Sequence, residues 1–271
     1  MSIRNLDALF KPGAIALIGA SADESSVGGV LARNLVNSGF DGPVMPVNPH
    51  RRHVGGVIAY PTVDELPMVP DLGIVATPPE TVPGIVAALG RKGARGAIVI
   101  SAGFGESRGR EGKALEKAIL TAAKPHLLRL VGPNCLGIIV PGVGLNASFA
   151  HLTPAQGRLA FVTQSGAVVA SVIDWAQNHG VGFSHLVSLG DMADVDFGDM
   201  LDYLANDPGT RAIRVRAIPG PTHGAVWRRV AMAHLSGSAS MRRSSRASSL
   251  VTRRSRTTIR LWMSRRAQAS A

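Results

Sequence analysis

Apolar residues along this chain alternate between two spacings. Continuous apolar blocks, the first of them Ala14-Ile15-Ala16-Leu17-Ile18, are stopped abruptly by Gly, Pro or Asn. Between them lie stretches whose apolar residues recur three or four positions apart, as Leu31, Leu35 and Val36 do. The blocks are too short for helices and predict strands buried on both faces, while the spaced stretches predict amphipathic helices. In chain order the pattern predicts strands at 14–18, 43–47, 71–76, 96–100 and 128–131, with helices at 30–38, 80–92 and 109–124. Strand and helix repeated in this way imply an α/β fold, a doubly wound parallel sheet of Rossmann-like type. Residues 142–154 lack clear periodicity and read as a connector. A second unit then opens with a strand at 158–162, a helix at 167–178, a strand at 183–187, a helix at 199–206 and the start of a strand at 211–213.

In a doubly wound sheet, ligands bind beyond the carboxyl ends of the strands. Here those ends carry turns with no long side chain to block approach. Gly19-Ala20-Ser21 ends the first block, and Gly28 and Gly29 let the following helix start close to a ligand. A turn of this kind, with a helix N-terminus behind it, forms an anion site for phosphate, although plain tight turns have the same composition. The second strand runs into Asn48-Pro49-His50-Arg51-Arg52. A dinucleotide site of the NAD type places an acid there for the ribose hydroxyls. Asn48 in that place argues against NAD and for a ligand with an extra phosphate, NADP or coenzyme A, unless Arg51 and Arg52 are a solvated loop. Thr77-Pro78-Pro79 and Ser101-Ala102-Gly103-Phe104 form either a narrow slot or stiffened turns. Ser165 is placed as N-cap of the helix at 167–178, and Gly166 opens backbone N–H groups to an anion.

Composition narrows this picture in three ways. Aromatics are only 4%, so the core must be built from aliphatic residues. The single Cys135 excludes an intrachain disulfide framework and a Cys-rich metal site, suits a reducing cytoplasm, and reads as a small buried residue rather than a nucleophile. The net charge of +11 is unevenly placed: all 18 acids lie at or before Asp207, whereas residues 214–271 carry 13 arginines and no lysine. No stretch reaches the length of a membrane helix. The apolar run before Ala20-Ser21-Ala22 is too short for a signal peptide and is preceded by Asp7 and Pro12-Gly13. No metal-ligand spacing or Ser/His/Asp arrangement stands out.

Five motifs together carry a resemblance. Gly19-Ala20-Ser21, Thr77-Pro78-Pro79, Ser101-Ala102-Gly103-Phe104, Gly132-Pro133-Asn134-Cys135-Leu136-Gly137 and Thr163-Gln164-Ser165-Gly166-Ala167 stand in the order and spacing of the NDP-forming acyl-CoA synthetases. That family includes the succinyl-CoA synthetase alpha subunit, the ADP-forming acetyl-CoA synthetases and the similar protein lysine acetyltransferases. The resemblance implies a CoA-binding Rossmann-like domain over 1–142 and a partial flavodoxin-like domain over 155–213. It implies CoA or acyl-CoA as ligand, with phosphate at Gly19, Ala20 and Ser21. Nucleotide and pantetheine would lie at Asn48, Pro49, Pro78, Pro79, Ser101 and Ala102, and the thiol end near Asn134. The helix start at Ser165 and Gly166 would face a phosphorylated histidine, and an ATP-grasp subunit or domain would be the partner.

The chain departs from the family after Ile213. The family's histidine turn follows further strands and helices, whereas His223-Gly224-Ala225 and His234-Leu235-Ser236-Gly237 come too early, and no acid follows Asp207. The expectation is therefore a chain reduced to CoA binding, with no catalytic residue assigned. Residues 214–271 are expected to be a disordered Arg/Ser-rich tail, translated out of the family's frame, that binds nucleic acid only non-specifically. The alternatives are an NADP-linked oxidoreductase and the regulatory CoA-binding part of a protein acetyltransferase.

Overall fold

The computed structural model describes residues 3–217, 249–254 and 257–263. The first sheet contains the strands β1 (Ile15–Ile18), β2 (Val44–Val47), β5 (Leu72–Val75), β6 (Gly96–Val99) and β7 (Arg129–Val131). They lie in the order β2-β1-β5-β6-β7, and every pairing is parallel. The helices α2 (Val27–Asn37), α3 (Val82–Lys92) and α4 (Gly109–Ala123) cover it, and a short α1 (Asp7–Phe10) precedes β1. A two-residue hairpin, β3 (His53–Val54) with β4 (Val57–Ile58), follows β2.

Alternation along each strand sorts the aliphatic side chains onto two faces. Ala16, Ile18, Val75, Ala97 and Val99 pack with Val82, Val86, Leu89 and Ile119 of α3 and α4. Ile15, Leu17, Leu72, Ile74 and Ile98 face the other way, and their cluster takes in Leu31 and Leu35 of α2.

The second sheet has the order β13-β14-β12-β10-β11-β8-β9. Its strands are β8 (Gly137–Val140), β9 (Leu145–Ser148), β10 (Gln156–Thr163), β11 (Phe183–Ser188), β12 (Ala212–Ala217), β13 (Ser249–Arg254) and β14 (Thr257–Met263). The helix α5 (Gly166–Asn178) covers one face through Val169, Ile173 and Ala176. On the opposite side, α6 (Phe197–Asn206) contributes Met200, Leu201 and Leu204 to the same apolar cluster that holds Ile15 and Leu31. One continuous core thus joins the two sheets. The edge strand β7 is met by the segment before α6: Ala193 N–H donates to Gly132 O at 3.1 Å, and Val195 N–H donates to Leu130 O at 3.1 Å. Arg129 crosses the same seam to Asp194 at 2.9 Å and Asp199 at 2.7 Å. Among the described residues no helix is long and apolar enough to cross a membrane.

One expectation is corrected. Residues 142–154 are not a bare connector, because β9 lies within them and all four of its residues are buried. Its paired partner β8 joins the second sheet by antiparallel pairing with β11, so the chain changes sheet immediately after the Gly132–Gly137 motif. Of the residues expected to form a tail, 214–217, 249–254 and 257–263 are described, and they lie in strands. β12 runs on to Ala217, with Ile213 and Val215 buried and Arg214 exposed, a period-two pattern that the high arginine content obscures. β14 pairs parallel to β12 and β13 pairs antiparallel to β14. An unpaired strand edge carries a row of unmet donors and acceptors, and the β-branched run Thr257-Thr258-Ile259 suits the pairing that satisfies them. His223 and His234 lie outside the described residues.

Candidate functional site

The carboxyl ends of β1, β5, β6 and β7 converge, and backbone geometry rather than side-chain charge shapes the ground between them. Gly19 has φ +90°, a conformation that L side chains rarely adopt, and a Cβ there would overlap the carbonyl of Ala76 at the end of β5. Gly28, in the first turn of α2, lies against the same loop: a Cβ on it would overlap the carbonyl oxygen of Gly19 and approach Ser21 N to 3.3 Å. The helix therefore starts in contact with Gly19-Ala20-Ser21 and directs its positive end toward the strand ends. Ser26 caps it, its Oγ accepting from Gly29 N–H at 3.1 Å. The exposed Asp23 accepts from Ser25 Oγ and Ser25 N–H, and these bonds hold its carboxyl below the ordinary range. Asn48 braces the loop from β2 by donating Nδ2–H to Ala20 O at 2.8 Å.

The next three turns are bonded to one another. Ser101 Oγ donates to Thr77 O at 2.6 Å, and Asn134 N–H donates to Ser101 O at 2.9 Å. Asn134 has φ +58°, and its Nδ2 donates to Asp191 Oδ1 at 3.2 Å. These turns bound a cavity of about 420 Å³, lined by Val27, Ala76, Thr77, Ile100, Ser101, Ala102, Asn134, Cys135, Leu136, Phe149 and Gly166. The start of α2 and the start of α5 thus reach one cavity. Its wall is mainly apolar, with Thr77, Ser101 and Asn134 supplying polar atoms. Cys135 is 4% exposed and points its Sγ at Val99 O, 3.4 Å away; burial pushes its thiol up to about 12, in keeping with a structural role. None of the six described histidines borders this cavity.

Of the residues expected from the sequence, Ser101, Ala102, Asn134 and Gly166 line the cavity directly. Gly19, Ala20 and Ser21 form the loop pressed against α2 beside it, and Asn48 braces that loop. Pro49 is in an exposed turn, and Pro78 and Pro79 lie outside the cavity, with Pro79 packed near Gly103. Ser165 occupies the N-cap position of α5, but its side chain makes no capping bond; instead its backbone N–H meets Thr163 Oγ1 at 3.3 Å. Arg51 and Arg52 are exposed.

Two residues of the site escaped the sequence reading. Phe149 reaches the cavity from the end of β9, which Asn34 of α2 holds through bonds of 2.8 Å to Ser148 O and Ala150 O. Alternation in Leu145-Asn146-Ala147-Ser148 is the signal that could have found that strand. Asp191 belongs to the second unit and comes to Asn134 only through folding.

Comparison with known proteins agrees with this arrangement. Residues 13–141 match the CoA binding domain, and residues 156–217 match the succinyl-CoA ligase like flavodoxin domain, so the likeness runs past Ile213 to the end of β12. The chain carries a CoA-binding domain followed by a succinyl-CoA ligase-like domain. An ADP-forming acetate–CoA ligase I of Archaeoglobus fulgidus is 43% identical over 83% of this chain and 32% of its own length. The alpha subunit of the ADP-forming acetate–CoA ligase II of Pyrococcus furiosus is 40% identical over 77% of this chain and 45% of its own. Among solved structures, the dinucleotide-forming acetyl-coenzyme A synthetase 1 of Ca. Korarchaeum cryptofilum superposes with a TM-score of 0.76 at 34% identity, over 82% of this chain and 48% of that one. PH0766 of Pyrococcus horikoshii superposes with a TM-score of 0.75 at 41% identity, over 79% and 48%. The chain thus spans about a third to a half of the length of these relatives.

Proposed function

We propose that this chain holds coenzyme A or acyl-CoA for an NDP-forming acyl-CoA synthetase reaction, acyl-CoA + NDP + phosphate ⇌ acid + CoA + NTP. The observation that carries the reading is the single cavity on which the strand-end turns Thr77, Ser101-Ala102 and Asn134 and the starts of α2 and α5 converge. In this reading CoA phosphate lies on the Gly19-Ala20-Ser21 loop at the positive end of α2, with Asn48 holding the loop in place. The pantetheine arm, uncharged and rich in amides, runs along Ser101 and Ala102, and its thiol end lies by Asn134. The start of α5, Ser165-Gly166, faces the phosphorylated group that exchanges with the acyl group there.

Among the described residues, Cys135 is the one titratable group on the cavity wall and its thiol stays protonated at neutral pH, so these residues offer binding and orientation. The phosphate relay and the NTP site are therefore assigned to an ATP-grasp subunit or domain and to parts of the enzyme outside residues 3–217. The naming of the Pyrococcus furiosus relative as an alpha subunit supports a multi-part enzyme. His223 and His234 are not assigned to the relay, and no acyl group is specified. A single buried cysteine suits a cytoplasmic protein.

Calorimetry of the whole chain with CoA, NADP and NAD tests the reading. CoA should bind tightest and NAD weakest. NADP binding tighter than CoA would refute it and favour an oxidoreductase-type Rossmann protein.

A further inference from the structure

Asp191 does not line the cavity itself but is bonded to Asn134, which does and whose backbone N–H meets Ser101 O at 2.9 Å. Its backbone is held on two sides: Asp191 N–H donates to Pro133 O at 2.9 Å, and Gly190 N–H donates to Gln164 O at 3.1 Å. Gly190 lies so close to the preceding turn that a Cβ there would overlap Pro133 O and crowd Asn134 O. The carboxylate is thus placed by the main chain rather than by a flexible arm, and it takes the Nδ2–H of Asn134.

A carboxamide has one donating end and one accepting end, and only its partners decide which way it faces. An ionised carboxylate accepts and never donates, so it selects the amide nitrogen. We propose that Asp191 is a positioning residue, which claims Asn134 Nδ2 and thereby makes Asn134 Oδ1 the acceptor offered to a donor on the bound ligand. On the CoA reading, on which this inference rests, that donor is an amide N–H or the thiol S–H at the end of the pantetheine arm.

Protonation relaxes the selection. A neutral Asp191 carboxyl donates as well as accepts, so it tolerates Asn134 in the flipped orientation, with Nδ2 toward the ligand. Groups face Asp191 from α4 and from the Gly132–Gly137 turn. Glu116 of α4 meets it across Gly105, where both carboxylates approach the space a Cβ would fill. The Cys135 thiol feels the Asp191 charge, and the start of α5, which follows the Gln164 carbonyl that meets Gly190 N–H, carries no charge. Surrounding protein atoms raise the Asp191 carboxyl above its ordinary 3.8, with the Asn134 bond pulling the other way. Ligand affinity should therefore fall as pH drops toward that raised value.

Two measurements on the full chain test this. In nuclear magnetic resonance, as the pH is lowered from neutral until Asp191 takes up its proton, the side-chain amide of Asn134, identified by its loss in Asn134→Asp, should move with pH. The movement should vanish in Asp191→Asn and persist in Glu116→Gln. In calorimetry, Asp191→Asn and Asp191→Leu should each weaken CoA by about three- to tenfold at pH 7. Subtracting the Asp191→Asn pH profile removes the titration of the ligand's own phosphates and should leave a loss of affinity at acid pH in the wild type alone. An Asn134 amide indifferent to pH and to Asp191→Asn, or CoA affinities equal in the wild type and both variants, overturns the inference. The resonance arm needs no ligand, so failure of the wild type to prefer CoA would count against the functional reading and leave the positioning of Asn134 separately decided.

Discussion

Exchanging one glycine for alanine should have opposite effects at two positions. In α2, Gly28 faces the Gly19 loop; in α3, Gly84 is exposed, and a Cβ there meets nothing within 4 Å. Alanine stiffens the unfolded chain and favours the helix at either place, which is worth about 0.5–1 kcal/mol. At Gly84 nothing opposes that gain, so Gly84→Ala should stabilise by about 0.5–1 kcal/mol and leave CoA binding unchanged. At Gly28 the new methyl overlaps the carbonyl oxygen of Gly19, and Gly19 C and Ser21 N stand 3.1 and 3.3 Å from it. These are backbone atoms that cannot rotate away, so α2 or the loop must shift, at about 1–3 kcal/mol for over-packing. The net change for Gly28→Ala is therefore a loss of about 0.5–2 kcal/mol, or roughly 1–8 °C in Tm for a protein of this size. CoA affinity should fall at least tenfold, because the loop assigned to its phosphate moves. Thermal unfolding followed by circular dichroism, with calorimetry for CoA, reads both effects. A Gly28→Ala protein with the stability gain of Gly84→Ala and wild-type CoA affinity would refute the close approach of helix and loop.

Other consequences concern the seam and the buried groups. Arg129→Met should cost about 3–5 kcal/mol in urea unfolding, because it takes from Asp199, whose side chain is only 8% exposed, the guanidinium that meets it at 2.7 Å. Burial opposes the Arg129 charge, yet its two carboxylates raise its affinity for the proton overall, so the ion pair persists across the working pH range. Cys135 should resist thiol reagents in the folded protein at pH 8 and react fully in denaturant; rapid native labelling would contradict its burial and raised thiol. His185 is buried, its Nε2 meets no hydrogen-bond partner among the described residues, and burial lowers it from 6.5 to about 4 while Asp207 pulls it up. The unfolded chain then binds a proton that the folded one refuses, so stability should drop as pH falls from about 6.5 to about 4. His185→Gln should flatten that part of the curve, and an unchanged curve would rule His185 out as its cause.

Much of this protein is determined by local sequence. The blocks at Ile15–Ile18, Leu72–Val75 and Gly96–Val99 are apolar at every position except glycine, which only strands covered on both faces tolerate, so a doubly wound parallel sheet follows. The turns after them bear Gly, Pro, Ser or Asn because backbone must approach backbone there, and the same residues draw the eye to Gly19, Ser101, Asn134 and Gly166. What local pattern could not decide is how the two units share their strands and core. The β8 and β9 strands leave the first unit for the second sheet, and Phe149 reaches the cavity only because Asn34 of α2 ties down the end of β9. Asp191 lies 57 positions from Asn134, and Asp199 lies 70 from Arg129. No periodicity links residues so far apart. Nor could composition reveal the strand through Val215, since it records how many arginines are present and not that they alternate with buried residues. Hydrophobic spacing specifies which face of an element is buried, but the partner that buries it is chosen by the packing of the whole chain.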